Sequence, residues 1–248
     1  MKNKSSTNTE LIPESNNDLS YTTPAEMERL FHELNLLRLE GYIFDFAKKH
    51  STRGDERQVF SETLKLPTGK ILENQTITIE PSRYGKPRDV AYKIFQATLK
   101  KLSDEGWEYA THVAFSQREM QRMTGRKSWG GADSEAYLTA VKQLRHTGIE
   151  CTLYDKATQE AITADFNLFS TAYLSSKKQR VTKCVFEVNS YILRSLRSKY
   201  AFLLNYDRLM QLKDPIAMVL FKHIFDNFRR LHSLDTNRPF VFKKSMKR

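Results

Sequence analysis

Residues 115–149 read FSQREMQRMTGRKSWGGADSEAYLTAVKQLRHTGI, and this stretch decides the fold class. Ser116 and Glu119 have the spacing of a capping box, so a short helix is predicted to begin here and to end at residues 124–125. A longer helix is predicted over residues 134–147 because apolar side chains recur there at helical spacing. Two helices joined by a short loop indicate a helix-turn-helix.

The longer helix has two opposite stripes. Its apolar stripe, which we expect to face the core, is Tyr137, Leu138, Val141 and Leu144. Its polar stripe, whose side chains can donate to or accept from base edges, is Glu135, Thr139, Lys142 and His146, with Gln143 beside it. This pattern predicts that the helix lies in the major groove of duplex DNA.

The flanking segments predict a winged helix-turn-helix in an α+β domain. Residues 149–154 and 161–169 read as strands around a turn that contains Lys156, and we interpret this hairpin as the wing. A helix over residues 89–103 and a strand over residues 109–115 supply the preceding elements. The alternative is two packed helices and a hairpin in another kind of α+β domain.

Positive charge is concentrated in the last third of the chain. The whole sequence has 40 Lys and Arg against 29 Asp and Glu, a formal net charge of +11. Residues 1–173 are nearly neutral, with 23 basic and 24 acidic side chains, whereas residues 174–248 have 17 basic and 5 acidic ones. A positive field of this kind favours binding to a nucleic-acid backbone, although a basic tail that serves solubility is the alternative.

The segments before the helix-turn-helix contain a polar tail, a helix and two strands. Residues 1–22 are rich in Ser, Thr, Asn and charge, so we expect a disordered tail. A capping box at residues 23–26 opens an amphipathic helix that packs on its own domain or against a second copy of the chain. Strands are predicted over residues 58–67 and 71–79, and residues 83–87 are a turn whose basic and aromatic side chains are candidates for a phosphate contact. Together, residues 23–173 make the winged-helix domain.

The last third partly repeats the pattern. A strand is predicted over residues 183–188, a helix over residues 190–196 and extended chain over residues 200–204. A strong amphipathic helix then begins at residues 214–215. We interpret residues 181–248 as a second winged-helix-like domain that is incomplete.

Several function classes are disfavoured by what the sequence lacks. The apolar runs are too short for a membrane span and the first twenty residues have no apolar core, so we expect a cytoplasmic protein that does not bind membranes. No His-x-His pair, zinc-ligand spacing or phosphate loop for ATP occurs. We therefore expect no catalytic residue, no metal and no cofactor, and a protein that is not an enzyme.

Three blocks of the sequence resemble the plasmid replication initiators of the replication initiator protein A family. They are residues 84–102, which begin YGKP, residues 115–119 (FSQRE) with the helix end at 147–149, and residues 186–228. The resemblance covers most of the chain from about residue 27 onward. It implies that the chain binds repeated sites in a plasmid origin, opens the adjacent duplex, recruits host helicase, polymerase and initiator proteins, and often represses its own gene. It also maps the groove-reading helix onto residues 134–147.

The predicted function is therefore sequence-specific binding of double-stranded DNA by a plasmid replication initiator. A winged-helix transcriptional repressor is the alternative, and a metal-dependent nuclease is less favoured. The residues expected to read bases are Thr139, Lys142 and Gln143. The residues expected to contact phosphates are Arg118, Arg122, Lys127, Arg145 and Lys156. The wider set of expected DNA contacts adds Arg126, Glu135, His146, Lys177, Lys178 and Arg180.

Overall fold

The computed structural model describes residues 29–47, 56–106, 110–126, 130–177 and 180–234, and its fold is α+β as predicted. The strands are β1 (Arg29–Glu33), β2 (Gln58–Lys65), β3 (Ile71–Glu80), β4 (His112–Ser116), β5 (Gly148–Asp155), β6 (Glu160–Phe166), β7 (Phe169–Lys177), β8 (Arg180–Val188) and β9 (Ala201–Asn205). The helices are α1 (Leu34–Ile43), α2 (Asp89–Glu105), α3 (Gln117–Met123), α4 (Gly131–His146), α5 (Ser190–Arg197), α6 (Tyr206–Gln211) and α7 (Pro215–Leu234).

The described strands form three antiparallel sheets. The first has the order β4-β8-β7, the second has the order β2-β3-β5-β6, and the third pairs β1 with β9. Phe115 on β4 pairs with Cys184 on β8, which in turn pairs with Leu174 on β7. Helices α2 and α4 pack on each other, and α4 also packs on β7 and β8. The first sheet thus supports α4.

Helix α3 begins where the capping box predicts. The backbone N–H of Glu119 donates to Ser116 Oγ over 3.2 Å, and the backbone N–H of Ser116 donates to Glu119 Oε2 over 3.4 Å. These bonds satisfy two backbone donors that a helix start otherwise leaves without partners. Glu119 also pairs with Lys101 on α2, which fixes α3 against that helix.

Helix α4 buries the apolar stripe that the sequence predicts. Tyr137, Val141 and Leu144 are each 2% exposed or less, and Leu138 packs against the same core. The hydroxyl of Tyr137 lies 3.0 Å from the sulfur of Cys184, which joins α4 to β8. Because one side of α4 is held this way, its opposite side faces outward.

The hairpin β5–β6 forms at the predicted residues, but its sheet partner is not the one expected of a wing. β5 pairs with β3 through Ile149 with Ile79 and Cys151 with Ile77. These four side chains are buried, so the alternating apolar residues of β5 and those of β3 lie on the same buried face of the sheet. The strand β4 pairs instead with β8 of the β7–β8 hairpin.

The amphipathic helix predicted from residue 23 begins later than expected. Residues 29–33 are the strand β1, which pairs with β9, for example Phe31 with Leu203. Helix α1 starts only at Leu34, where the carboxylate of Glu33 accepts from the backbone N–H of Leu36 over 2.6 Å. Pairing with a distant strand outweighs the local helical pattern. The predicted disordered tail and the capping box at residues 23–26 lie outside the described residues.

The predicted domain boundary between residues 173 and 181 does not match the strand pairing. β8 pairs with β4 as well as β7, so one sheet spans both predicted domains. Phe202 and Met218, from the last third, are buried in the same apolar core as Leu30 and Phe95. The two predicted domains therefore share a sheet and an apolar core, and the division between them stays a prediction.

Helix α7 begins at Pro215 as predicted and has an exposed apolar stripe. Its members are Ile216, Leu220, Ile224 and Phe228, which are 48%, 56%, 44% and 51% exposed. The interpretation of this helix as the start of a second winged domain stays a prediction.

None of the helices in the described ranges is both long enough and apolar enough to cross a membrane.

Candidate nucleic-acid interface

The polar stripe of α4 faces outward. Glu135, Lys142 and His146 are exposed and Thr139 is half-buried. With a rise of 1.5 Å per residue, the stripe from residue 135 to residue 146 is about 16 Å long, and a helix fits into the major groove of B-form DNA. The structure therefore brings four of the predicted DNA contacts onto one accessible face.

Gln143 does not belong to that face. Its side chain is 7% exposed, and its amide Nε2 donates to the backbone carbonyl of Tyr84 over 2.8 Å. An amide that is buried and bonded in this way is not available to a base edge. The structure instead assigns Gln143 to holding the turn at residues 82–87 against α4.

The turn at residues 82–87 has a defined backbone. The N–H of Gly85 donates to the carbonyl of Ser82 over 2.8 Å, and the N–H of Tyr84 donates to Ser82 Oγ over 3.1 Å. Gly85 has φ of 79°, in the left-handed region that favours glycine. Arg83 and Tyr84 are thus presented from a stable turn beside α4.

Lys86, the second basic residue of this turn, makes its hydrogen bond inside the protein. Its ammonium donates to Gln58 Oε1 over 2.9 Å, and the side chain is buried. Burial lowers the pKa of Lys86, and Asp45 partly opposes this shift. Only Arg83 of the two bases is exposed at the surface.

Basic side chains from α4 and from the turn meet around one aromatic ring. We call the group Arg83, Tyr84, Lys142, Arg145 and His146 the Tyr84 cluster. Arg83 Cζ and Lys142 Nζ each lie 4.9 Å from the centre of the Tyr84 ring, which is cation–π distance. The His146 ring is 6.2 Å from the same ring, and Arg83 Nη2 donates to the Tyr84 hydroxyl over 2.6 Å.

The electrostatics of the cluster are positive. The pKa of His146 is lowered, first by partial burial and then by the charges of Arg145, Arg83 and Lys142. Within the described part of the chain, none of these four basic residues forms an ion pair with a carboxylate. Uncompensated cations held close together are a favourable environment for an anion such as phosphate.

The arginines of α3 are also at the surface. Arg118 and Arg122 are both exposed, whereas Met120 between them is buried. This orientation is compatible with the predicted phosphate contacts. Arg126, just after α3, pairs instead with Asp133 at the start of α4, so its charge is partly compensated within the protein.

Lys156 lies away from the end of α4 that carries the Tyr84 cluster. β5 is eight residues long and leads away from that end, so Lys156 follows a strand about 23 Å in length. Its ammonium donates to the carbonyl of Lys199 over 3.1 Å. Because the β5–β6 hairpin joins β3, Lys156 is not at the tip of a wing.

The remaining predicted contacts are basic residues near the β7–β8 turn and in the loop before α4. Lys177 and Arg180 are paired at the end of the β7–β8 hairpin. Lys178 and Lys127 lie outside the described residues.

The turn that contains Arg83 and Tyr84 was a candidate for a phosphate contact, but its packing against α4 was not predicted, because Gln143 is 59 residues away from Tyr84 in the chain. The available signal was a basic residue beside an aromatic one.

In the described residues, no group of three or more His, Cys, Asp or Glu side chains is arranged to hold a metal ion.

Comparisons with known proteins give remote structural likenesses. No protein-family model matches the chain, and no curated protein matches its sequence. A solved structure of a selenomethionine derivative of domains 2 and 3 of RctB matches 71% of this chain with a TM-score of 0.46 and 9% identity. A second structure, of RctB domains 2–3, matches 64% of this chain with a TM-score of 0.41 and 8% identity. The matches span 64% and 58% of those two chains, less than two thirds of each.

Proposed function

We propose that this chain is a sequence-specific DNA-binding protein that initiates plasmid replication, with α4 as its recognition helix. The observation that carries the proposal is the outward stripe of Glu135, Thr139, Lys142 and His146, which ends at the Tyr84 cluster. A stripe of hydrogen-bonding side chains beside uncompensated cations combines the two requirements of DNA recognition, base contacts and phosphate contacts.

We further propose that the DNA-binding unit is a winged helix whose wing is β7–β8. Its elements in chain order are α2, β4, α3, α4 and then β7 and β8, with the β5–β6 hairpin as an insertion. The support is that β8 pairs with both β4 and β7, so the hairpin continues the sheet on which α4 packs. Lys177 and Arg180 are then the paired residues at the turn of this wing.

The role in replication is supported by the resemblance of three sequence blocks to plasmid replication initiators. Origin repeats, opening of the duplex and recruitment of helicase and host initiator proteins follow from that resemblance. A homodimer is a separate proposal, which rests only on the amphipathic pattern of the N-terminal segment. A transcriptional repressor with the same fold is the second candidate, because the outward stripe of α4 could bind DNA in a promoter as well as in an origin. We propose no catalytic role.

The experiment that separates these candidates is permanganate footprinting of plasmid DNA that contains the gene and its flanking sequence. An initiator exposes reactive thymines next to its bound sites because it opens the duplex. A repressor protects its sites without such exposure. Cleavage of the DNA that requires magnesium would instead indicate a nuclease and would contradict both candidates.

A further inference from the structure

We propose that the Tyr84 cluster is a binding site for one phosphate group of the nucleic-acid backbone, and that binding is accompanied by uptake of a proton at His146. The inference deepens the proposed function and rests on it. It commits Arg83 and Tyr84 to the interface and assigns Lys142 and His146 to a phosphate at the end of α4 instead of to a base.

The cations of the Tyr84 cluster come from two separate elements, α4 and the turn at residues 82–87. Arg145 and His146 alone would be explained as cations that stabilise the negative end of the α4 dipole. Arg83 has no such explanation, because it comes from the turn at residues 82–87 and is held over the Tyr84 ring together with Lys142. Cations from separate elements repel one another, so their convergence indicates an anionic ligand.

Arg83 and Lys142 are already ordered by Tyr84 before a ligand binds. Long basic side chains lose conformational entropy when they bind a ligand, and this loss weakens binding. The cation–π contacts to Tyr84 and the bond from Arg83 Nη2 to its hydroxyl limit that freedom before the ligand arrives. The backbone of Tyr84 is fixed in turn by Gln143. Tyr84 is therefore a positioning residue.

The charge of His146 depends on the groups around it. The groups that face it are Tyr84 and Arg83 from the turn and Lys142 and Arg145 from its own helix. Partial burial lowers its pKa, and the three cations lower it further. A bound phosphate adds a negative charge and raises the pKa again, so the complex holds more protons than the unbound protein. By linkage, affinity increases as the pH falls through the interval between the two pKa values.

The test uses the full chain and fluorescence anisotropy with a duplex from around its own gene and with a random duplex. We expect Arg83→Ala to weaken binding to both duplexes about 3-fold to 10-fold and to reduce the slope of log K against log salt by about one. His146→Gln should remove the gain in affinity that the unmodified chain shows as the pH falls through 6.5 and below, since the pKa of unbound His146 lies under that ordinary value. Tyr84→Phe should retain most of the affinity, whereas Tyr84→Leu should lose as much as Arg83→Ala.

The matched control is Lys65→Ala, which removes one exposed positive charge from β2. If Arg83→Ala and His146→Gln bind with the same salt slope and pH dependence as Lys65→Ala, the phosphate site is wrong while DNA binding itself stands. Circular dichroism of each variant checks that the fold is retained.

A second probe distinguishes a backbone phosphate from free phosphate and from failure of the proposed function. The NMR titration of the His146 ring is followed with inorganic phosphate alone and with duplex DNA. A raised His146 pKa with DNA supports the proposal. A raised pKa with inorganic phosphate in a chain that binds no duplex overturns the nucleic-acid assignment and the proposed function together. An unchanged pKa with both ligands overturns the site.

Discussion

At the residue scale, the buried carboxylate of Glu40 accepts hydrogen bonds from several buried side chains. It accepts from His32 Nε2 over 2.8 Å, from Gln96 Nε2 over 2.9 Å and from the Tyr92 hydroxyl over 3.3 Å. It also accepts from the ammonium of Lys222. These residues belong to β1, α1, α2 and α7, so one buried group joins four elements of the fold.

Glu40 and Lys222 are both charged at neutral pH. Burial by itself raises the pKa of Glu40, but the charges of Lys222 and His32 outweigh that effect and lower the pKa to about 2. Burial lowers the pKa of Lys222 to about 8, although Glu40 opposes the shift. The result is an ion pair without contact with water, which stabilises the fold only while both partners are present.

We predict that Lys222→Met lowers the free energy of unfolding by about 3–5 kcal/mol, because Glu40 is left as an unpaired buried charge. Urea denaturation followed by circular dichroism measures the effect. The double variant Glu40→Gln/Lys222→Met should lose less than the single variant, since it buries no net charge. A single variant as stable as the unmodified chain would contradict the assignment.

The pH dependence of stability follows from the same carboxylate. The folded-state pKa of Glu40, about 2, lies below its ordinary value of 4.5, so its contribution is present above pH 4.5 and is lost as the pH falls toward 2. Burial raises the pKa of Glu33, which acts in the opposite direction. We therefore predict that Glu40→Gln has a smaller loss of urea midpoint between about pH 5 and about pH 3 than the unmodified chain. Equal losses in both would contradict this assignment.

At the element scale, α3 and α4 were predictable from the sequence because their signals are local. The capping box of Ser116 and Glu119 and the apolar stripe of α4 lie within a few residues of the structure that they determine. The partner of β4 was not predictable in this way. Both β5 and β8 alternate between buried and exposed residues, and only contacts from distant parts of the chain select β8.

The residues of the candidate site also divide into those that local sequence predicts and those that contacts from distant segments determine. The exposed stripe of Glu135, Thr139, Lys142 and His146 follows from helical periodicity alone. The burial of Gln143 and the position of Arg83 beside α4 have one cause, which is that the turn at residues 82–87 packs on α4. A contact between such distant segments has no signature in local spacing.

Two helices are predicted to make different kinds of DNA contact. Thr139→Ala, on α4, should cost roughly 1–3 kcal/mol at one base position and relax the preference there, because its hydroxyl reads a base edge. Arg122→Ala, on α3, should weaken binding to all sequences alike, because a phosphate contact carries no sequence information. Competition binding with a set of singly substituted duplexes measures both effects. Equal losses on specific and random DNA for both variants would contradict this division.

At the scale of the whole molecule, the proposed interface lies on a single apolar core. Residues from Leu30 to Met218 contribute to that core, so α4 and the β7–β8 hairpin are held by the same packing, and Gln143 holds the turn at residues 82–87 against α4. A rigid support keeps base-reading and phosphate-binding groups in register with one another. The excess of positive charge after residue 174 adds an attraction that does not depend on DNA sequence.

The central claim is that this surface recognises particular DNA sequences, and equilibrium binding over a salt series tests it most directly. The purified chain is measured against duplexes from around its own gene and against random duplex, between about 0.05 M and about 0.2 M salt. We predict tight binding to repeated sites that persists at the higher salt concentration, together with weaker binding to random duplex that is lost steeply. Equally weak binding to every duplex, lost as salt rises, would contradict the claim.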